Sequence, residues 1–140
     1  MIHVRVANYD ADREAISGVR FAVFVDEQQV PAEIEIDDRD PLCVHLLAFD
    51  DGVPVGTARM DVAASGKIGR LAVLGTHRRH GVGSALMDVL HGLAKARGLK
   101  HVWCHAQVGA IPFYERLGYT VTGVPFVEAG IDHVKMEREL

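Results

Sequence analysis

The sequence predicts a single α/β or α+β domain with a mixed sheet at its centre. Segments in which apolar and polar residues alternate are interspersed with segments whose apolar residues recur at helical spacing. The 140 residues are 49% hydrophobic and 24% charged, which matches the length of one ordinary domain and provides enough apolar surface for a core. Because no repeat or linker-like stretch divides the chain, we expect one domain over residues 1–140.

The N-terminal elements are a strand, a helix and an irregular acidic stretch. Residues 2–6 alternate between apolar and polar side chains, which predicts a strand with one buried face. Asp10 is a candidate cap for a helix that runs to about Val25 with apolar residues at helical spacing. Residues 30–41 are acidic and bracketed by prolines, so they predict a loop or a short broken helix.

The middle of the chain predicts a hairpin, a third strand and a long helix. Two apolar runs, 43–49 and 53–61, are separated by an Asp-Asp-Gly turn and should pair with each other. Residues 67–74 read as the next strand. From Val82 the apolar residues follow one helix face as far as Gly98, which is a typical helix terminator.

The C-terminal part predicts three strands and a short helix. Residues 101–106 form an apolar strand that follows a crossover helix, so parallel pairing is expected. A short helix over 111–117 should stop at Gly118, and strands should follow near 119–123 and 131–137.

Composition and charge exclude several kinds of protein. The formal net charge of −4 argues against a domain that binds nucleic acid through bulk electrostatics. No apolar run approaches the roughly 20 residues of a membrane helix, so we expect a cytoplasmic protein with no membrane partner. Cys43 and Cys104 lie in apolar runs, which predicts reduced, buried thiols, and no Cys/His spacing indicates a metal site. The sequence leaves open whether the chain forms a homodimer.

The most informative segment joins the strand that ends near Leu74 to the helix that starts at Val82. The connecting turn is basic and glycine-spaced, and free N–H groups at a helix N-terminus attract anions. Gly81 and Gly83 would let a phosphate approach the main chain, and neighbouring arginines would add charge-assisted hydrogen bonds. The Walker pattern fails, since no Lys-Ser/Thr pair follows the last glycine, and the dinucleotide fingerprint lacks its third glycine and its acidic residue.

The turn resembles the acetyl-coenzyme A motif of the GNAT superfamily of N-acetyltransferases, Arg/Gln-x-x-Gly-x-Gly/Ala, which Arg78, Gly81 and Gly83 satisfy. A second family signature, Phe-Tyr-x-x-x-Gly-Phe/Tyr, is matched by residues 113–119. The resemblance implies a mostly antiparallel sheet flanked by about four helices, with a V-shaped splay between two parallel strands. It also implies that acetyl-CoA is the co-substrate and that its binding residues are Leu71, Ala72, Val73, Arg78, Arg79, His80, Gly81, Val82, Gly83 and Ser84.

A narrower resemblance is to the small bacterial branch of that superfamily that includes ElaA. It rests on an Arg-x-x-Val-Phe-Val-x-Glu-Gln segment from Arg20, the acidic run 33–40, His45, and a Glu-x-Gly-Ile-x-His segment at 128–133. These residues would lie on the acceptor side of the site. The candidate substrate-binding residues are Arg20, Glu27, Glu35, Asp37 and His45. The acidic run favours a cationic acceptor, but a structural ion pair between the run and Arg20 would weaken that inference. The ion pair is the safer interpretation of Arg20, and a ligand for an anionic acceptor is the alternative.

The predicted reaction moves an acetyl group to a primary amine of a small molecule or peptide by direct attack. The resemblance assigns Tyr114 as the acid that protonates the departing thiolate, while a packed core aromatic is the alternative. Several groups are candidates for the general base, either directly or through a water molecule: Glu27, Glu33, Glu35, Asp37, Asp38, His45 and His133. Cys104 could serve as a nucleophile, but a cysteine in an apolar strand is usually inert.

Two other functions remain open at this point. Arg20-x-x-Val-Phe followed by an acidic pattern also resembles acyl-homoserine lactone synthases, but the tryptophan that those chains carry between the two motifs is missing. A non-catalytic acyl-CoA sensor would keep the coenzyme site without turnover. The retained Tyr114 disfavours that reading.

Overall fold

The computed structural model describes residues Met1–Leu140. Its strands are β1 (Ile2–Ala7), β2 (Val44–Asp50), β3 (Val53–Asp61), β4 (Lys67–Val73), β5 (His101–Gln107), β6 (Thr120–Glu128) and β7 (Ile131–Glu139). Its helices are α1 (Arg13–Arg20), which continues as a π-helical segment (Phe21–Glu27), α2 (Ala32–Glu35), α3 (Val82–Ala96) and α4 (Ile111–Arg116). The predicted α/β class with four helices is confirmed.

The strands form one seven-stranded sheet in the order β1-β2-β3-β4-β5-β7-β6. Every neighbouring pair is antiparallel except β4 and β5, which are parallel. The parallel pair shares register only at Lys67 with Trp103 and at Ile68 with Cys104. Beyond those two positions the strands diverge, so the predicted V-shaped splay is present.

A β-bulge bends β4 where the splay opens. Thr57 of β3 faces Ala72, and Arg59 faces Gly69, so two residues of β4 lie opposite one residue of β3. Arg70, one of the two, has a φ of +50°, a left-handed conformation that is unusual for a residue with a side chain. The bulge turns the rest of β4 away from β5.

Helices cover both faces of the N-terminal half of the sheet. The face under α3 contributes a continuous apolar core with Leu46, Met60, Leu86 and Leu90, all fully buried. On the other face α1 packs against β3 and β4 through Val19 and other apolar residues. By contrast, α4 covers only one face of the β5-β7-β6 half. The opposite face of that half is free to form part of a site.

The first helix departs from its predicted boundaries. The helix begins at Arg13, and Asp10 is not its cap but an exposed partner of Arg13. The carboxylate of Asp12 accepts hydrogen bonds from the main chain of Asn8 and from the side chain of Arg5, which fixes the preceding turn. The π-helical continuation was not predicted. The spacing of apolar residues over two turns does not distinguish an α-helix from a helix that contains one additional residue.

The remaining elements lie close to their predicted positions, with one difference. β6 extends to Glu128 rather than stopping near Gly123, because this glycine adopts a φ of +89° at a register shift and lets the strand continue past it. Both cysteines are free thiols, but Cys43 is only partly buried. None of the helices is both long and apolar enough to cross a bilayer.

Candidate active site

A cavity of about 650 Å³ fills the splay between β4 and β5. One wall is formed by β4 from Gly69 to Val73 together with Phe24 of the π-helical segment. The other wall is formed by the open face of β5 and by the ends of β6 and β7. Gln28 and Gln107 join the two walls, since the amide of Gln107 donates to the side chain of Gln28 at 2.8 Å. The cavity therefore lies in the splay that was predicted between the two parallel strands.

The basic turn ends at the N-terminus of α3. Gly81 occupies the capping position with a φ of +81°, and no side chain caps the helix. The first N–H groups of α3 therefore have neither an intrahelical partner nor a side-chain acceptor. Arg79 and His80 beside them are exposed. This end of the helix suits an anion such as a phosphate.

Gly83 connects the turn to the cavity. A Cβ atom at this position would lie 3.3 Å from the ring of Phe113 and 3.9 Å from Val73, and both of these residues line the cavity. The glycine is therefore required for the close packing of α3 against α4, in addition to any contact with a ligand. Val82 next to it points into the core, so only its main chain is available to a ligand.

Arg78 is engaged with protein groups. Its guanidinium makes two hydrogen bonds to Glu27, at 2.7 and 2.8 Å, and its Nε donates to the carbonyl of Val73 at 3.0 Å. This partner lowers the pKa of Glu27. Glu27, predicted on the acceptor side, therefore lies beside the basic turn and is not among the residues that line the cavity. These bonds use three of the five N–H groups of the guanidinium, so one N–H on each terminal nitrogen stays available to a phosphate.

Tyr114 lies on α4 at the floor of the cavity. Its side chain is 7% exposed and packs against the rings of Phe113 and Tyr119, with centroids 5.1 and 5.5 Å away. Burial raises the pKa of this phenol well above its usual value, so the group stays protonated. Its hydroxyl has no hydrogen-bond partner in the protein, and its oxygen is open to the cavity rather than sealed in the core. Tyr119 differs, because its hydroxyl bonds Nε2 of His91 at 2.6 Å.

The chain resembles proteins of one family over nearly its whole length. Residues 9–140 match the family described as Acetyltransferase (GNAT) domain. The chain is also 40% identical over 123 residues to the uncharacterized N-acetyltransferase YjcF of Bacillus subtilis, a match that covers 86% of this chain and 88% of YjcF. The chain belongs to the GNAT acetyltransferase family.

Solved GNAT structures show the same fold. The chain superimposes with a TM-score of 0.87 on an acyl-CoA N-acyltransferase from Pseudomonas aeruginosa that is 26% identical, over 99% of each chain. ElaA of Escherichia coli also gives a TM-score of 0.87, at 28% identity, over 99% of this chain and 100% of that one. The predicted likeness to the superfamily and to ElaA is confirmed.

Arginines bind three carboxylates of the acidic run, Glu35, Asp37 and Asp40. Arg20 binds Glu35 at 2.5 Å and Asp40 at 2.8 Å, and all three side chains are at most 3% exposed. Arg59 binds Asp40 at 2.7 Å and Asp37 at 2.8 Å. The members of this ion-pair network are the acids Glu35, Asp37, Asp40 and Asp61 and the arginines Arg20, Arg39, Arg59 and Arg70.

The ion-pair network corrects the predicted acceptor residues. Arg20 and His45 do not line the cavity, and their side chains are fully enclosed. Nε2 of His45 bonds the carbonyl of Asp40 at 2.7 Å, and burial lowers the pKa of this imidazole. Glu35 and Asp37 reach the cavity, but arginines occupy their oxygens. The four acids and four arginines of the network balance, so the network itself carries no excess negative charge to attract a cation. Glu33 and Asp38, the other two acids of the run, are exposed and lie outside the network.

The open face of β5 supplies a set of side chains of which only Gln107, through the resemblance to the ElaA-like branch, was expected at the site. Trp103, His105 and Gln107 alternate with the buried Val102, Cys104 and Ala106, so all three point toward the cavity. Nδ1 of His105 lies 2.8 Å from a carboxylate oxygen of Glu128. This alternation was visible in the sequence as one polar face of a strand. The partner on β6 was not visible, because it depends on the register through β7.

The buried Cys104 is unsuited to nucleophilic chemistry. Burial raises the pKa of its thiol to about 12, so the thiolate is scarce near neutral pH. No group of three or more His, Cys, Asp or Glu side chains is arranged to hold a metal ion.

Proposed function

We propose that this GNAT acetyltransferase moves an acetyl group from acetyl-CoA to a primary amine of a small molecule or peptide, in the cytoplasm. The observation that carries the proposal is the junction of the uncapped N-terminus of α3 with the splayed β4. The N-terminus of α3 can bind phosphate through its free N–H groups. The splayed part of β4 has main-chain N–H and C=O groups that pair with no neighbouring strand on the β5 side. The name of the Pseudomonas relative, an acyl-CoA N-acyltransferase, supports the same donor and the same acceptor atom.

The coenzyme fits the residues that the site provides. The N–H groups at the start of α3, together with Arg79 and His80, would hold the pyrophosphate. β4 pairs with β3 on one side and with β5 only at its first two residues, so its later main-chain groups on the β5 side are available to the pantetheine amides. Leu71, Ala72 and Val73 would supply them, since all three line the cavity.

Acyl transfer also needs a proton for the departing thiolate. Tyr114 suits this role because its phenol is protonated, unpaired with protein and at the cavity floor. A buried phenol with a raised pKa is protonated at neutral pH and keeps its proton until negative charge develops beside it. We therefore retain Tyr114 as the catalytic acid.

The decisive experiment measures thiol release from acetyl-CoA in the presence of a panel of primary amines that includes polyamines, amino acids and short peptides. We expect amine-dependent release of coenzyme A and a matching acetylated product by mass spectrometry. Release without amine is the background control. Tight coenzyme A binding by calorimetry with no amine-dependent release across the panel would replace the enzyme with a non-catalytic sensor.

A further inference from the structure

Two side chains from neighbouring strands form a histidine–carboxylate dyad on the wall opposite β4. His105 projects from the open face of β5, and Glu128 lies at the end of β6. Their contact, between Nδ1 and Oε2, is 2.8 Å long. Both residues line the cavity, and both remain partly accessible. The dyad is thus a part of the acceptor side that no arginine of the ion-pair network neutralises.

The contact fixes which nitrogen of His105 can accept a proton. A neutral imidazole carries one N–H, and a carboxylate can only accept, so the N–H resides on Nδ1. The lone pair is then on Nε2. This nitrogen has no hydrogen-bond partner in the protein, and it is not sealed from the cavity. Nε2 is consequently a free acceptor at a cavity wall.

The groups around His105 keep its imidazole neutral and hold it in place. Trp103 contacts it edge-on at a centroid distance of 5.3 Å, and Phe126 contacts it at 4.8 Å. The charged and titratable neighbours are Lys67 on β4, Glu128 on β6, and His133 and Lys135 on β7, the last of which pairs with His105 across the two strands. Burial, aided by Lys67 and His133, lowers the pKa of His105 despite the opposing effect of Glu128. A base must be unprotonated to act, so this direction suits the role.

We propose that His105 is the general base that deprotonates the acceptor amine through Nε2, and that Glu128 is its positioning residue. The proposal rests on the proposed function. A primary amine is an ammonium near neutral pH and cannot attack until it loses a proton. No acid of the ion-pair network is free for this task, since each one is bound to an arginine.

The protons balance as follows in the complete transfer. The ammonium gives one proton to Nε2 of His105, and its nitrogen then forms the bond to the thioester carbonyl carbon. The carbon–sulfur bond breaks, and Tyr114 protonates the departing thiolate. The second proton lost by nitrogen passes through water to restore Tyr114, and His105 returns its own proton to solvent. The products are the amide, the free thiol and one released proton.

His133 is the nearest rival for this role. It lines the cavity and stacks on the other side of Phe126, at a centroid distance of 5.9 Å. Its Nδ1 bonds the main-chain carbonyl of Ile131 at 2.7 Å, so its Nε2 also faces away from a protein partner. A neutral carbonyl supports a developing imidazolium less than a carboxylate does. The carboxylate partner therefore distinguishes His105 from His133 as the site of the developing imidazolium.

Kinetics of matched variants test the assignment on the amine that the wild-type protein acetylates best. His105→Gln should lower kcat at neutral pH by about 10²- to 10⁴-fold, the usual contribution of general base catalysis. Its rate should then keep rising with pH, because only solvent deprotonates the amine. His101→Gln changes a histidine on the same face of β5 that does not line the cavity, and it should match wild type. Equal rates for His105→Gln and wild type would overturn the proposal, as would a larger loss in His133→Gln.

Glu128→Gln separates positioning from simple packing. The carboxylate favours the imidazolium, so its removal should move the acidic limb of kcat/KM to lower pH and lower kcat by less than His105→Gln does. An unmoved limb would show that Glu128 is structural and would overturn its assigned role. In addition, nitrogen-15 spectra of labelled histidine should show the Nδ1–H form of His105 in wild type and a tautomer mixture in Glu128→Gln. An Nε2–H form in wild type would overturn the dyad.

These measurements test the His105–Glu128 dyad separately from the proposed acetyl transfer. The histidine spectra need no turnover, so they report the dyad even on an inactive protein. A wild-type protein that releases no thiol with any amine overturns the proposed function, and the role of His105 as base with it. A wild-type protein that acetylates amines alongside an equally active His105→Gln overturns only the base.

Discussion

Two buried phenols five residues apart differ in the one respect that matters for catalysis. Tyr119 accepts one short hydrogen bond from Nε2 of His91, because Nδ1 of the same neutral ring accepts from Arg138 at 2.7 Å. Tyr114 makes no such bond and lines the cavity. Loss of the hydroxyl therefore has opposite consequences at the two positions.

Tyr114→Phe should lower kcat by about 10²- to 10⁴-fold, because the thiolate loses its proton donor, while coenzyme A affinity and the free energy of unfolding stay close to wild type. Tyr119→Phe is the matched control. It should cost about 1–3 kcal/mol of stability, because His91 loses a buried partner, and leave kcat unchanged. Turnover is measured by thiol release with chemistry shown to be rate-limiting. A Tyr114→Phe variant with wild-type turnover would mean that the thiolate takes its proton from water.

Residue types in the sequence indicated chemistry more reliably than they indicated partners. An arginine in an apolar helix face needs carboxylate partners, and Arg20 has them. That these partners are Glu35 and Asp40 depends on how residues 30–41 fold back onto the helix. His105 was indistinguishable from other histidines because its importance comes from Glu128, which approaches through the pairing of β5 with β7 and of β7 with β6. A local sequence pattern does not encode the register in which distant strands pair.

At the scale of elements, the start of α3 makes a prediction about the coenzyme. Arg79 is exposed beside the uncapped N–H groups, whereas Arg97 is exposed at the opposite end of the same helix. Arg79→Ala should weaken coenzyme A binding about tenfold, the loss expected for one charge-assisted hydrogen bond, and Arg97→Ala should not. Calorimetric titration measures both.

The same comparison at high salt serves as its check. Added salt screens exposed charges, so the difference between wild type and Arg79→Ala should shrink. Equal affinities at low salt would remove Arg79 from the phosphate site. Gly83→Val is a less specific test, because the new side chain would collide with Phe113 and disturb the packing of α3 on α4.

Most elements were predictable because each has a strong local signal. The Asp-Asp-Gly turn defined the hairpin of β2 and β3, and the helical periodicity of α3 ended at Gly98 as expected. The bulge at Arg70 and the π-helical segment after Arg20 have no such signal. Both depend on tertiary contacts that outweigh the intrinsic preferences of the residues.

At the scale of the whole molecule, the ion-pair network joins α1, the loop after α2, β3 and β4. Its arginines hold the pKa of Asp37 at about 2, chiefly through hydrogen bonds from Arg59. A carboxyl whose folded pKa is depressed contributes stability above its ordinary pKa and loses that contribution as pH falls toward its folded value. The network is thus a link between acidity and the integrity of the fold.

Asp37→Asn should therefore lower the free energy of unfolding by about 1–2 kcal/mol at neutral pH and by progressively less between about pH 4 and pH 2. Urea unfolding at a series of pH values measures the difference. Asp38→Asn is the control, because Asp38 is exposed and forms no ion pair, and its curve should follow wild type. A gap between Asp37→Asn and wild type that stays constant with pH would show that packing, not charge, accounts for the loss.

The π-helical segment has a consequence for how the site changes over evolution. Such a segment is equivalent to one residue inserted into an α-helix, and each helical residue rotates the chain by about 100°. Deleting one residue from Phe21–Glu27 would rotate Glu27 away from Arg78 and Gln28 away from Gln107 in a single step. Arg20 precedes the segment and would keep its buried ion pairs. A length change of one residue can thus alter both ends of the cavity while the ion-pair network that anchors them is inherited intact.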